Sequence, residues 1–311
     1  MNRWDVVIVG EGFAGLTAAA ACAQAGLATA TLEAAMYGGL VNSINTLLGW
    51  SAGDGDDDQV SGIDLATDRI SAAADAGTLS HPERALSLQA IDGGWAVLTD
   101  AGRHEARAVI VASGASRRPL GLPEEERFAQ RGLSHCADCD GPLVKDAEVV
   151  VVGGGDSALQ EAAVLSHYAR VVHIVHRGST FRARPAVRAA FDAAFAGRAE
   201  ALRIHWLSTV AALHGSAGVE AVDIVHADGT RAQIAARAIF PCVGLVPNAG
   251  WTGLALDAAG AIPVDESCAT ALPGVFAIGA VRTRHGGTLA DAQRDACTAV
   301  ASILAAQGAK R

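Results

Sequence analysis

Two runs of valine and isoleucine, each stopped by a cluster of glycines, organise the chain. The first is Val6-Val7-Ile8-Val9, followed by Gly10-Glu11-Gly12-Phe13-Ala14-Gly15 and a helical stretch from Leu16 to Gln24. A further apolar run, Ala28 to Leu32, closes on Glu33. Strand, tight turn, helix and strand ending on an acid is the order that a dinucleotide site requires. In this reading Gly10 permits the sharp turn, Gly12 lets the backbone approach a pyrophosphate, and Gly15 lets the helix close on the strand. The helix N-terminus offers free N–H groups to the anion, and Glu33 is placed to accept hydrogen bonds from a ribose.

The second unit opens with Val149-Val150-Val151-Val152 and turns through Gly153-Gly154-Gly155-Asp156-Ser157-Ala158 into a helix from Leu159 to Ser166. Ala158 stands where a third glycine would be. The return strand, Val171 to Val175, ends at His176-Arg177 instead of an acid, with Arg182 and Arg184 close behind. A cation there suits the 2′-phosphate of NADP better than the bare ribose of NAD. A solvated basic loop is the plainer reading of the same arginines.

Between the two turns, segments 85–91, 94–99 and 104–112 predict short strands with a turn at Asp92-Gly93-Gly94, and Val109 to Gly114 reads as a buried strand ending in a small-residue turn. Segments 203–213, 219–226 and 231–240 predict another small meander, Val275 to Ile278 a strand stopping at Gly279, and Leu289 to Leu304 a C-terminal helix. Together these elements predict an α/β layout of one discontinuous domain, residues 1–116 and 245–311, with a second domain, 117–244, inserted into it.

A chain of 311 residues with 50% hydrophobic positions and a net charge of −9 is too apolar and too weakly charged to be disordered. Aromatics are only 5%, so Ala, Val, Leu and Ile must fill the core. The acidic balance argues against a general affinity for nucleic acid or anionic lipid. The N-terminus carries no targeting pattern, and no run reaches the ~18 apolar residues of a membrane span, so a soluble cytoplasmic protein is expected. Asp54-Gly55-Asp56-Asp57-Asp58 reads as an exposed acidic loop whose carboxylates lack metal-ligand spacing, and no metal is expected.

Six cysteines are too few for a disulfide scaffold. Cys22, Cys242, Cys268 and Cys297 lie singly and read as small buried hydrophobes. Cys136-Ala137-Asp138-Cys139 is the one close pair, followed by Asp140 and Gly141. Such a pair trades two electrons with another dithiol or with a flavin, helped by a helix end that stabilises a thiolate. The Asp140 carboxyl can move the proton that the exchange requires. Zinc would need further ligands, and no second cysteine pair is nearby. Two free thiols in a loop, with His135 as a mere neighbour, is the bland alternative.

The order Gly10-Glu11-Gly12-Phe13-Ala14-Gly15, Gly38-Gly39, Ala112-Ser113-Gly114-Ala115-Ser116, Cys136-Ala137-Asp138-Cys139-Asp140-Gly141, Gly153 to Ala158, His176-Arg177, Phe181-Arg182-Ala183, Gly244 to Pro247-Asn248 and Pro273 to Gly279 resembles the low-molecular-weight thioredoxin reductases. The resemblance implies two Rossmann-like domains in a homodimer, with FAD in the discontinuous domain and NADPH in the inserted one that carries the cysteine pair. It implies that electrons pass from NADPH to FAD, to the pair, and on to a thioredoxin-like protein or a small-molecule disulfide. It places Cys139 against the flavin, Cys136 as the attacking thiol and Asp140 as acid/base. It implies FAD contacts at Gly10, Gly12, Phe13, Ala14, Gly15, Glu33, Gly38, Gly39, Leu40, Gly114, Gly279, Ala280, Thr288 and Leu289. For NADPH it implies contacts at Gly153, Gly155, Asp156, Ser157, Ala158, Arg177 and Arg182.

Four places depart from the family pattern. Its Gly-Asp near the C-terminus is Gly279-Ala280, its Arg-Gln-Ala is Gly287-Thr288-Leu289, the Gln after Gly-Gly is Leu40, and the second arginine of the phosphate clamp is Gly178. One lost hydrogen bond costs on the order of 1 kcal/mol, so Ala280 alone need not abolish FAD binding. The surviving second glycine turn and Arg177 favour an NADPH-dependent disulfide reductase. The altered groups also fit an FAD-dependent dithiol oxidase that passes electrons to oxygen with weakened NADPH use. Ala280 leaves room for a third reading, in which a poorly flavinated protein uses the cysteine pair as a redox sensor.

Overall fold

The structure, a computed structural model, describes residues 3–44, 47 and 60–308. The predicted acidic loop Asp54–Asp58 lies outside the described residues. The chain divides into two compact units, Met1–Ser116 with Val246–Arg311 and, between them in sequence, Arg117–Leu245.

The first unit begins with β1 (Arg3–Val9), α1 (Phe13–Gln24) and β2 (Thr29–Leu32). Then come α2 (Gly62–Asp75), β3 (Leu79–His81), β4 (Ala85–Ile91), β5 (Gly94–Thr99), β6 (Arg103–Val111) and β7 (Ala115–Arg117). The sheet runs β3-β2-β1-β6-β5-β4, parallel through β3, β2, β1 and β6 and antiparallel from β6 to β4. Alternation along the central strands divides the core in two. Val6, Ile8, Ala108 and Ile110 face α1 and the last helix, whereas Val7, Val9, Val109 and Val111 pack on the opposite face. Ile8, Leu16 and Ile110 are fully buried, each contributing about 1.5–3 kcal/mol of apolar transfer. The predicted strands 104–112 and 109–114 are one strand, β6.

The second unit holds α3 (Ala137–Asp140), β8 (Glu148–Val152), α4 (Asp156–Leu165), β9 (Val171–His176), α5 (Pro185–Ala194), β10 (Leu202–Trp206), β11 (Ser208–His214), β12 (Ala221–His226), β13 (Arg231–Ala235) and β14 (Ala238–Pro241). A parallel sheet, β10-β9-β8-β14, carries α4 and α5 on one face, and a separate antiparallel sheet, β11-β12-β13, packs through Val222, Ile224 and Ile234 against Val150 and Val152 on the other. This corrects the predicted meander. Segment 203–213 is two strands in two sheets, broken at Leu207, whose positive φ of 51° stops the run. Segment 231–240 is likewise split between β13 and β14. The chain returns through β15 (Leu245–Pro247), which pairs with β7, and ends with β16 (Val275–Ala277), alongside β6, and α6 (Leu289–Gly308).

The parallel sheet of the second unit carries a polar chain across three strands. Arg170 Nη2 donates to Glu148 Oε1 at 2.7 Å, His173 Nε2 lies 2.8 Å from Glu148 Oε2, and His173 Nδ1 lies 3.0 Å from His205 Nε2. Burial, with His173 and His226 nearby, depresses the His205 pKa from 6.5 to about 4. The folded state therefore holds this imidazole neutral, while the unfolded chain protonates it near pH 6.5. Its contribution is complete above pH 6.5 and is lost as pH falls towards 4. Urea midpoints at pH 7.5, 5.5 and 4.5 are expected to fall less steeply for His205→Gln than for the wild type; parallel slopes would contradict this.

Candidate functional site

In the first unit the strand–turn–helix is closed by backbone contact. Gly10 has φ +110°, and a Cβ on it would sit 2.3 Å from the Ala112 carbonyl oxygen. A Cβ on Gly15 would lie 2.0 Å from the Gly10 oxygen. Only glycine tolerates either approach. Gly12 differs: its nearest neighbour on that side is the Gly38 oxygen at 4.0 Å, so its face is open. Gly12 is also the N-cap of α1 and provides no side-chain cap for the helix's first turn, an arrangement suited to receiving an anion. Phe13 and Ala14 are buried in the first turn of α1; Gly38 is buried, while Gly39 and Leu40 are exposed in the following short helical turn.

Glu33 ends β2. Its Oε2 accepts from the Glu11 N–H at 2.8 Å and its Oε1 from the Ala35 N–H at 3.0 Å, which fixes the carboxylate and leaves lone pairs for a ribose. A cleft of about 370 Å³ opens here, lined among others by Gly10, Glu33, Arg84, Ser113, Asn248 and Trp251. Gly114, with φ +63°, is held by its carbonyl accepting from Asn248 N–H at 2.9 Å, while Asn248 Nδ2 donates to Ser113 O at 2.9 Å. An open glycine face, an uncapped helix and a fixed carboxylate at a cleft suit the pyrophosphate and ribose of FAD.

Sequence reasoning missed three features of this unit. Glu11 is buried and its Oε1 accepts from Thr31 Oγ1. His81, Glu83 and His104 bring potential metal-ligand atoms within 4.8 Å of one another. Glu83 already accepts from Thr99 Oγ1 at 2.6 Å and lies 2.8 Å from His104 Nε2, so the group is a clamp tying the β3–β4 loop to the β5–β6 hairpin. The third is Asp295 on α6, which is 3% exposed. It accepts from the Gly279 N–H at 3.0 Å and from Arg282 Nε at 2.7 Å and Nη2 at 2.5 Å. Burial alone would raise its pKa, but the His285 ring, Arg282 and Gly279 together hold it at about 2. Gly279 is thus anchored from α6, with the half-buried Ala280 following it. Thr288 accepts from the Asp291 N–H at 3.1 Å and donates to its carboxylate at 2.6 Å, so it caps the start of α6, with Leu289 as the first helical residue.

The second unit repeats the turn. Gly153 has φ +145°, and a Cβ there would lie 2.4 Å from the Cys242 oxygen. A Cβ on Gly155 would meet nothing within 4 Å, and this residue caps α4 without a side chain. Asp156 is not aimed at that opening, because its carboxylate binds the Arg184 backbone N–H and guanidinium. Ser157 is exposed and Ala158 buried. Arg177 and Arg182 are exposed, and neither guanidinium joins an ion pair among the described residues. The buried His176 ring explains Gly178: a Cβ there would lie 2.9 Å from Nε2. The open glycine, free helix N-terminus and exposed arginines suit a phosphorylated dinucleotide such as NADPH.

Cys136 and Cys139 form a disulfide with Cα atoms 5.3 Å apart. Cys136 caps the four-residue α3, and its Sγ accepts the Cys139 N–H at 3.2 Å. Cys136 is half-buried, Cys139 exposed and Asp140 half-buried. Burial first, then Arg117, lowers the His135 pKa. Among the lone cysteines, burial pushes Cys22 and Cys242 up to about 12 and Cys268 to about 11, which suits packing. Cys297 is a correction, because it lies exposed on the outer face of α6.

A family model described as "Pyridine nucleotide-disulphide oxidoreductase" matches residues 4–296. The chain is 37% identical over 298 residues to a thioredoxin reductase of Listeria monocytogenes, covering 90% of this chain and 86% of that one. It is 33% identical over 286 residues to a thioredoxin reductase of Treponema pallidum, covering 90% of each. The crystal structure of the T. acidophilum thioredoxin reductase superposes with a TM-score of 0.89 at 28% identity, over 99% of both chains.

The anchor between α6 and the Gly279 turn has a direct test. Removing one partner of a buried ion pair strands the other, so Asp295→Ala is expected to cost about 3–5 kcal/mol in urea unfolding. A loss below about 1 kcal/mol, as for an exposed pair, would contradict it.

Proposed function

The chain belongs to the pyridine nucleotide-disulphide oxidoreductases, within the thioredoxin reductase group, and on that premise we propose how its own residues divide the work. The enzyme is an FAD-dependent disulfide oxidoreductase fed by NADPH. FAD, held by the first unit, would supply the two-electron chemistry that links a nicotinamide to the cysteine pair. The reductase reading is favoured over the dithiol oxidase because the relatives matched along nearly the whole chain are thioredoxin reductases.

The observation that carries the assignment of roles is the disulfide itself, on a turn whose Cys139 is exposed, in the unit that also holds the second glycine turn and the exposed Arg177 and Arg182. In our reading the N–H groups opening α1, with Gly10, Gly12 and Gly15, hold the FAD pyrophosphate, and Glu33 holds the adjacent ribose. The first turn of α4 and Gly155 hold the NADPH pyrophosphate, and Arg177 and Arg182 bind its 2′-phosphate. The N–H that Cys139 aims at Cys136 Sγ would stabilise a thiolate there once the pair is reduced, which supports Cys136 as the attacking sulfur. Cys136 attacks one sulfur of the partner's disulfide, and Asp140 supplies a proton to the departing thiolate. Cys139 gives its proton to the Asp140 carboxylate and attacks Cys136 Sγ, closing the internal disulfide, and the partner's second sulfur leaves as a thiolate that takes a proton from solvent. The partner is a thioredoxin-like protein or a small-molecule disulfide, and the enzyme works as a cytoplasmic homodimer.

Steady-state NADPH oxidation with thioredoxin as acceptor tests the assignment. Cys136→Ser and Cys139→Ser are each expected to reduce turnover to background. A charge-assisted phosphate contact contributes about 1.5–3 kcal/mol, so Arg177→Ala and Arg182→Ala should each raise KM for NADPH by about tenfold to a hundredfold and leave NADH nearly unaffected. Peroxide production from a dithiol without NADPH, and no disulfide turnover with it, would overturn the reading.

A further inference from the structure

The Glu161 side chain ends against the cysteine turn. It lies on α4, and its Oε2 accepts the backbone N–H of Ala137 at 2.5 Å, the peptide that joins Cys136 to α3. Ala137 is 1% exposed, so the contact closes the underside of the turn away from bulk water. The groups facing Glu161 come from three other segments: Asp138 on α3, Arg117 at the end of β7, and Cys242 after β14. Cys242 stays a neutral thiol, its pKa held at about 12 mainly by burial. Arg117 Nη1 is committed to the His135 carbonyl at 2.7 Å. Burial, with Asp138 adding to it, pushes the Glu161 carboxyl up to about 7 against the opposing pull of the Ala137 N–H and Arg117.

We propose that Glu161 is the redox-linked proton site of the Cys136–Cys139 pair. It is a positioning residue that holds the turn through Ala137 and takes up a proton when the S–S bond is reduced. When two electrons enter the bond, it breaks into one thiol and one thiolate, the thiol taking a proton from solvent. The new negative charge beside Ala137 raises the proton affinity of the Glu161 carboxylate, which takes a second proton from solvent. Reoxidation returns both protons. Asp140 hands protons to the partner's sulfur, while Glu161 keeps the underside of the turn neutral, so that a thiolate can persist above it.

The inference rests on the redox role proposed for the cysteine pair, and the test is independent of NADPH. The FAD-loaded protein is equilibrated with dithiothreitol redox buffers from pH 5.5 to 9, and the pair is quantified by thiol trapping and mass spectrometry. Glu161→Gln keeps an oxygen for the Ala137 N–H but cannot ionise. Around pH 7 the equilibrium constant of the wild-type pair should change more steeply than that of Glu161→Gln. The excess approaches at most tenfold per pH unit, which for a two-electron couple is about 30 mV. Parallel curves for the two proteins would overturn the proposal. A pair that never exchanges with dithiothreitol would instead sink the redox role on which it rests. Should the variant not fold, the reduced-minus-oxidised infrared spectrum of the wild type at pH 7.5 decides. A carboxylic acid C=O band that appears on reduction and persists in Asp140→Asn supports the proposal, and its absence refutes it.

Discussion

Each unit depends on the same contact, a glycine α-carbon pressed against a backbone carbonyl at the end of a neighbouring parallel strand. Gly10 meets the Ala112 oxygen beyond β6, and Gly153 meets the Cys242 oxygen beyond β14. In both places a side chain would overlap the carbonyl by more than an atom can give. The approach draws the helix N-terminus over the strand ends, the placement that an anion site requires. The next open glycine, Gly12 in one unit and Gly155 in the other, leaves the space that a phosphate bridge needs. Packing fixes two of the glycines, and the other two leave open the room that the proposed ligands need.

The chemistry is built on that frame with few charged groups. Glu33 and the α1 N-terminus give one unit a carboxylate and a positive helix end, which suits ribose and pyrophosphate together. The other unit replaces the carboxylate with the buried His176 and the exposed Arg177, and the imidazole occupies the volume that a side chain at Gly178 would need. At the cysteine pair the polar contacts come mainly from the backbone: Cys139 N–H to Cys136 Sγ, and Ala137 N–H to Glu161. Ala280 brings no carboxylate to its turn, which is held from α6 by Asp295 through the Gly279 N–H.

Local signals were legible wherever a run of one character met glycine. The valine runs before Gly10 and Gly153, the 85–99 hairpin and the last helix were all readable from the chain. The helices α2 and α5 were overlooked even though Ser61 with Asp64, and Pro185 at the first helical position, are start signals. Leu207 could not be anticipated as a strand break, since leucine rarely adopts a positive φ and only the demands of two separate sheets impose it. The roles of Asp295 and Glu161 were invisible for a different reason. Each sits in a helix where acids are usual, and its partner lies 16 or 24 residues away in sequence. Periodicity locates elements, but such polar pairs depend on how those elements pack.

Every role assigned to these residues serves electron flow from NADPH, by way of FAD, into the Cys136–Cys139 bond. Anaerobic addition of NADPH to the purified flavoprotein, followed by alkylation of free thiols, tests it most directly. The flavin absorbance should bleach, and Cys136 and Cys139 should both become alkylated, which they are not before NADPH is added. A flavin that stays oxidised under excess NADPH while the pair remains unlabelled would contradict the account.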